Sequence, residues 1–211
     1  MIVAIDGPAG SGKGTISKKL AEYFNLSYLD TGILYRAVAL QMLTEGINEK
    51  DCRSAKKAAR QVSITSIDHS GIRTRAVSDL ASKIATISGV RQELLTRQRR
   101  FAQNPDPDKD GAILDGRDIG TVVCPNADFK LFIMAELEIR AKRRWKELLQ
   151  SDPTVIYCEL LEEMRSRDER DTNRKDAPLA VTSGALVIDT SNKSIDVSFN
   201  EAKSWILSRR F

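Results

Sequence analysis

The sequence predicts an α/β protein: a parallel sheet covered by helices on both faces. Three observations carry that prediction. Short β-rich apolar runs recur along the chain and read as buried strands. Between most of them lie longer stretches whose apolar residues return every three to four positions, the spacing of a helix with one buried face. Alternation of the two is what parallel strands with crossover helices require.

Residues 2–5 form the first strand, Ile-Val-Ala-Ile, which ends at Gly7. From Lys13 onward Ile16, Leu20 and Phe24 keep helical spacing. Residues 26–29 read as a second strand, and Asp30-Thr31 caps a helix carrying Leu34, Val38 and Leu43 that Gly46 ends. A Lys/Ala-rich helix over 52–60, a short alternating run through Val62, Ile64 and Ile67, and helices over 74–87 and 89–102 follow. Pro105 and Pro107 break the last of these. Strands are predicted over 112–114, 130–134 and 185–189, and helices over 136–149, 154–171 and 195–208. There is no internal repeat and no low-complexity segment.

Composition narrows the class. A chain of 211 residues fits one large domain and buries a core without disulfides. No apolar run reaches the roughly 18 residues of a membrane span. The opening residues turn acidic at Asp6, too soon for a signal peptide, so a cytoplasmic protein is expected. Cys52, Cys124 and Cys158 lack metal-ligand spacing and are expected as small buried hydrophobes in a reducing compartment. His69, in a predicted turn, is the sole histidine, which removes Ser-His-Asp triads and multi-histidine metal sites. The net charge of +4 suits an anionic partner: nucleic acid, a membrane surface or a phosphorylated small molecule.

The strongest motif lies between the first strand and the first helix. Gly7-Pro8-Ala9-Gly10-Ser11-Gly12-Lys13 satisfies GxxxxGK in the strand–loop–helix context that a phosphate-binding P-loop needs. Glycines let successive N–H groups point at phosphate oxygens, the helix start adds its positive end, and Lys13 supplies a mobile ammonium. A nucleoside triphosphate is therefore expected there, held by residues 7–15. Gly14 occupies the place where a magnesium-ligating Ser or Thr usually follows the lysine, and Thr15 comes next. That GKGT ending resembles nucleoside monophosphate kinases, in which the metal leans more on water and phosphate oxygens.

Four further clusters follow in order: Asp30 to Arg36; Ser82 with Val90-Arg91-Gln92-Glu93; Asp115 to Thr121; and Arg167 to Arg174. With the P-loop they read DTGxxYR, VRxxLLxRQR, DGRDxGT and RDxRDxxR, and the whole set resembles the bacterial-type cytidylate kinase family over nearly the full chain. The resemblance implies a P-loop kinase fold with a five-stranded parallel sheet, a monophosphate-binding insertion and an Arg-rich lid. Within one kinase domain, 31–105 would be the monophosphate-binding region and 151–177 the lid. It implies transfer of the ATP γ-phosphate to CMP or dCMP. Lys13, Arg117, Arg167 and Arg174 would then be catalytic. Thr31, Tyr35, Arg36, Ser82, Arg91, Arg117, Asp118, Arg167, Asp171 and Arg174 would bind substrate, with Arg36 and Arg117 on phosphates, Ser82, Arg91 and Asp118 on cytosine and Asp171 on the ribose.

Residue chemistry is compatible with that assignment. A carboxylate accepts from the cytosine amino group, and an arginine donates to the ring nitrogen and carbonyl. Uracil would set its carbonyl oxygen against Asp118, a mismatch of about 1–3 kcal/mol. The competing reading makes Asp118 and Arg91 a structural ion pair. Arg167, Arg170 and Arg174 stand at i, i+3 and i+7, one helical stripe, which reads either as phosphate clamps or as a solvated salt-bridged face. No histidine base is needed, because a phosphate acceptor is already anionic near neutral pH; alignment and charge neutralisation by Lys13, arginines and Mg²⁺ remain. Asp115, ending a hydrophobic strand, is the candidate for holding Mg²⁺ in the manner of a Walker-B acid, or else simply caps the next loop.

Between Val62 and Asp79 the resemblance implies a longer insertion with a small antiparallel sheet, where this chain has only a short run. Other readings are a UMP, AMP or shikimate-type P-loop kinase and a basic nucleic-acid-interacting P-loop protein. Asp118 with Arg91 discriminates against the first group. The 6% aromatic content, with none interleaved among the arginines, argues against the second. Expected partners are thus CMP and dCMP with ATP and Mg²⁺, without nucleic acid or membrane, for a monomeric chain.

Overall fold

A computed structural model describes residues 1–62, 71–150 and 152–209. Five strands form one sheet: β1 (Ile2–Asp6), β2 (Ser27–Asp30), β3 (Ala112–Gly116), β4 (Phe129–Met134) and β5 (Leu186–Asp189). Their order is β2-β3-β1-β4-β5 and every neighbouring pair is parallel. Among the described residues eight α-helices accompany them: α1 (Lys13–Tyr23), α2 (Thr31–Thr44), α3 (Cys52–Gln61), α4 (Arg75–Ile84), α5 (Ser88–Gln103), α6 (Leu137–Leu148), α7 (Tyr157–Asn173) and α8 (Ile195–Leu207). The predicted fold class is the observed one.

The period of two along the strands separates the two faces. Val3, Ile5, Ile113, Leu131, Ile133 and Ile188 meet Ile16 and Leu20 of α1 and Ala202 and Ile206 of α8. Ala4, Leu29, Ala112 and Leu114 face the other way, onto α2, α4 and α5. Both sides of β3 are fully buried, which is why its sequence reads as an unbroken apolar run up to Asp115. A third, smaller cluster joins α6 to α7 through Ala141, Leu148, Leu160 and Met164. No described helix is long and apolar enough to cross a membrane.

Several expectations are corrected in detail. Leu43 is 46% exposed, and Met42 takes its place on the buried stripe of α2. Cys124 is buried, but Cys52 and Cys158 are exposed, because each stands in the first turn of a helix on its outer face. α7 ends at Asn173, so Arg174 is its C-cap in extended backbone (φ −61°, ψ 143°) and leaves the arginine stripe. A π-helical turn, Ile119–Val123, that no sequence periodicity announces follows the third strand. The predicted run at Ile64 and Ile67 and the turn at His69 lie outside the described residues.

Candidate active site

All five strands run the same way, so their C-terminal ends share one edge, where ligands bind in open α/β sheets. The donor loop leaves β1 there. A side chain at Gly7 (φ 150°) would put its Cβ 2.0 Å from the Ile133 carbonyl oxygen, so only glycine lets the loop pass β4. Gly12 is the left-handed N-cap of α1 (φ 86°). The loop is held from outside as well: Thr190 Oγ1 donates to the Ser11 carbonyl (2.8 Å), and Arg140 Nη1 donates to the Ala9 carbonyl (3.1 Å). Lys13 is half-buried at the base of the loop, and desolvation there together with nearby Arg117 pulls its pKa down to about 8.

Two carboxylates stand beside that lysine because the β2–β3 register sets Asp30 opposite Asp115. Asp30 caps α2 by accepting from the Gly32 N–H (2.9 Å). Asp115 accepts from the Tyr28 hydroxyl (2.6 Å), and burial lifts its pKa, with Lys13 opposing. Gly14 points at this pair: a Cβ there would lie 3.6 Å from Asp115 Oδ2 and 3.7 Å from the Tyr28 oxygen. Among the described residues no cluster of three or more His, Cys, Asp or Glu side chains could hold a metal on its own.

Loop and carboxylates open into a cleft of about 1090 Å³ lined by eleven lysines and arginines against five acids. Arg36, Arg117 and Arg167 are among them. The Nε groups of Arg36 and Arg167 are buried without a hydrogen-bond partner, and burial with nearby Arg117 lowers Arg167 to about 10. Such a surplus of half-paired guanidinium groups in a concave wall is an anion site.

Behind this wall lies a second set of contacts. Arg117 Nε donates to Asp171 (2.9 Å); burial works against its charge, but Asp171 with Asp168 and Asp115 more than offsets it and raises its pKa. Arg91 pairs with one oxygen of Asp118, and Arg174 Nη2 donates to the other (3.2 Å). Tyr35 lies close to the three of them, and burial raises its phenol pKa. Ser82 accepts from Arg170 Nε (3.2 Å), whose Nη2 also reaches Asp79 (3.0 Å).

With this geometry in view, a family model described as cytidylate kinase matches residues 3–205. The chain belongs to the cytidylate kinase family. It is 49% identical over 209 residues to cytidylate kinase from Paramagnetospirillum magneticum, covering 99% of each chain. With the enzyme from Azorhizobium caulinodans it shares 48% over 202 residues, 96% of each chain. The shikimate kinase of Bacteroides thetaiotaomicron shares the P-loop kinase fold, with a TM-score of 0.52 at 10% identity over 98% of each chain. The Paramagnetospirillum relative is matched almost end to end, so the number of residues between Val62 and Asp79 fits within the length of a cytidylate kinase.

Against this cytidylate kinase frame the predicted site residues fall into two groups. Lys13, Arg36, Asp115, Arg117 and Arg167 line the cleft with much of the P-loop. Tyr35, Arg91, Asp118 and Arg174 gather in the second set, with Ser82 hydrogen-bonded to Arg170 and Asp171 ion-paired to Arg117. Thr31 is buried and donates to the Asp115 carbonyl (2.8 Å), so its hydroxyl serves the fold of that loop. Sequence reading passed over Asp6, Tyr28 and Arg140. Arg140 is 5% exposed and joins three elements, donating to Ala9, to the Ala135 carbonyl (2.7 Å) and to Asp168 on α7 (2.6 Å). In sequence it is one of five basic residues in α6 and looks like part of a solvated face.

Proposed function

We infer that this chain is a cytidylate kinase, transferring the γ-phosphate of ATP to CMP or dCMP to give ADP and CDP or dCDP. Family membership fixes the class of reaction and the small nucleotide substrates. The observation that carries the cytosine preference is Asp118, 6% exposed, aimed by an arginine on each of its oxygens next to a cationic cleft with a P-loop at its end. A carboxylate so placed can accept from an exocyclic amino group, which cytosine has and uracil lacks.

The residue roles belong to the same reading. The P-loop, residues 7–15, holds the ATP phosphates through backbone N–H groups and Lys13. An oxygen of the CMP phosphate attacks the γ-phosphorus as the bond to the β–γ bridging oxygen breaks, and ADP departs with that electron pair. Lys13, Arg117 and Arg167 neutralise the charge on the moving group, and Arg36 holds the acceptor phosphate. Arg91 and Asp118 read the base, Asp171 and Ser82 meet the nucleoside, and Tyr35 packs at the base end. Arg174, through its bond to Asp118, is assigned here to the base end as well. The donor set suits Mg²⁺: Asp115, with Asp30 opposite it, supplies hard carboxylate oxygens, and this ion takes one or two such ligands plus phosphates and water. An ion held there would help neutralise the charge of the donor phosphates. We take 31–105 as the monophosphate-binding region and 151–177 as the lid of one kinase domain, acting as a cytoplasmic monomer.

ADP production measured with CMP, dCMP, UMP and AMP in turn tests the reading. CMP or dCMP should give the highest kcat/KM; a clear preference for AMP would sink it.

A further inference from the structure

Asp6 is the last residue of β1, one position before the P-loop, and is 2% exposed. Its carboxylate does not face the cleft. Oδ1 accepts from the Ile119 N–H (2.7 Å) and Oδ2 from the Gly120 N–H (2.8 Å), the two amides that open the π-helical turn directly after Arg117 and Asp118. Those amides start a helical turn and have no carbonyl of their own to bond, which is the need a fixed anion meets. We propose that Asp6 is a positioning residue that ties the acceptor-binding segment Arg117-Asp118 to the strand carrying the donor loop.

The tether acts on one side more than the other. The P-loop has attachments independent of Asp6: Gly7 against Ile133, Thr190 on Ser11 and Arg140 on Ala9. The amides at 119 and 120 have Asp6 alone, and Gly120 is wedged there, since a Cβ would meet Asp6 Oδ2 at 3.4 Å and Thr182 Oγ1 at 2.9 Å. Losing the carboxylate therefore releases the backbone just after Asp118 and leaves Arg117 and Asp118 to their side-chain pairs with Asp171, Arg91 and Arg174, while the donor loop stays seated. An asparagine keeps one acceptor oxygen but sets its NH₂ against the second amide, donor to donor. The inference rests on the reading of Asp118 as the base reader and adds what aims it.

Steady-state kinetics of Asp6→Asn with each substrate varied in turn provide the test, with Asp118→Asn run in parallel. The expected result is a fall in kcat/KM for CMP of about a hundredfold with a narrowed CMP-to-UMP ratio, while KM for ATP moves less than about twofold. Equal rises in both KM values, or no change in either, would overturn the tether. Gly120→Ala displaces the same contact from the opposite side and leaves the buried carboxylate in place. It should reproduce the split should Asp6→Asn fail to fold, and an unchanged KM for CMP in it counts equally against the proposal. Asp118→Asn separates the two claims: if it leaves the CMP-to-UMP ratio intact, the base reader is misassigned, whereas a ratio that responds to Asp118→Asn but not to Asp6→Asn rejects the tether alone.

Discussion

The two sides of the cleft are made of different material. The donor side is a single stretch, residues 7–15, which in the proposed reading meets phosphate mostly with backbone amides, and at Gly7 no side chain fits. The acceptor side draws Arg91 from α5, Arg117 and Asp118 from the loop between β3 and the π-turn, and Asp171 and Arg174 from the end of α7. Its groups are side chains, paired with one another and buried. A backbone cradle needs only local sequence; an ion-paired pocket needs the whole fold to bring its members together.

The sharpest way to break that contrast is to remove the one side chain on which the donor side depends. Lys13→Ala should lower kcat by about a thousandfold or more at saturating substrates while the protein remains folded, since a charge aimed at the moving group is lost. The native enzyme should show a milder form of the same loss. With the Lys13 pKa lowered to about 8 by burial, the ammonium is present below that pH and is lost above it. Initial-rate measurements across pH 6.5–9.5 should therefore show kcat/KM for ATP declining on the alkaline side. A flat alkaline limb together with an active Lys13→Ala variant would mean that the amides alone carry the donor phosphates.

That contrast also explains what could be read without coordinates. Gly7 to Thr15 is contiguous, so strand, loop and helix start were all legible, as was β3, whose double burial leaves an apolar run ending in Asp115. Asp30 was legible as a cap because its partner, Gly32, is two residues away. Arg140 was not, because its carbonyl partner at Ala9 lies 131 positions distant and nothing near it in sequence marks it as buried. Asp6 was hidden for the same reason, with its amide partners 113 and 114 residues on. The arginine stripe misled at one end only: Arg167 and Arg170 share α7, but the helix stops at Asn173, and Arg174 turns to the Ala177 carbonyl (2.7 Å) and to Asp118.

Arg174 is consequently the residue that most sharpens the division between binding and transfer. Placed on Asp118 and outside the cleft lining, it should act on CMP affinity. Arg174→Ala removes a charge-assisted bond to a buried carboxylate, worth about 1.5–3 kcal/mol, so KM for CMP should rise roughly ten- to a hundredfold with kcat changed far less. Arg117→Ala and Arg167→Ala, on the cleft wall, should show the reverse balance. A large fall in kcat for Arg174→Ala at saturating CMP would show that it reaches the phosphates after all, and the two sets of contacts would merge into one.

The smallest effect comes from the same chemistry moved to the surface. Arg75 on α4 pairs with Glu163 and, at 3.6 Å, with Glu159, both on α7, so it bridges those two helices much as Arg117 and Asp171 bridge the core to α7. The difference is solvent: the side chains of Arg75 and Glu163 are 33% and 51% exposed, those of Arg117 and Asp171 14% and 6%. Exposed pairs are worth about 0–1 kcal/mol, because water and salt already satisfy the separated charges. Breaking a buried pair strands a charge and costs about 3–5 kcal/mol. Urea unfolding should thus find Arg75→Ala within about 1 kcal/mol of the native protein and Arg117→Ala clearly destabilised. Adding salt should weaken the contribution of Arg75 and leave that of Arg117 nearly unchanged. Equal losses from the two substitutions would mean that the surface bridge holds α7 as firmly as the buried one, and that the acceptor side is secured from its rim as well as from its floor.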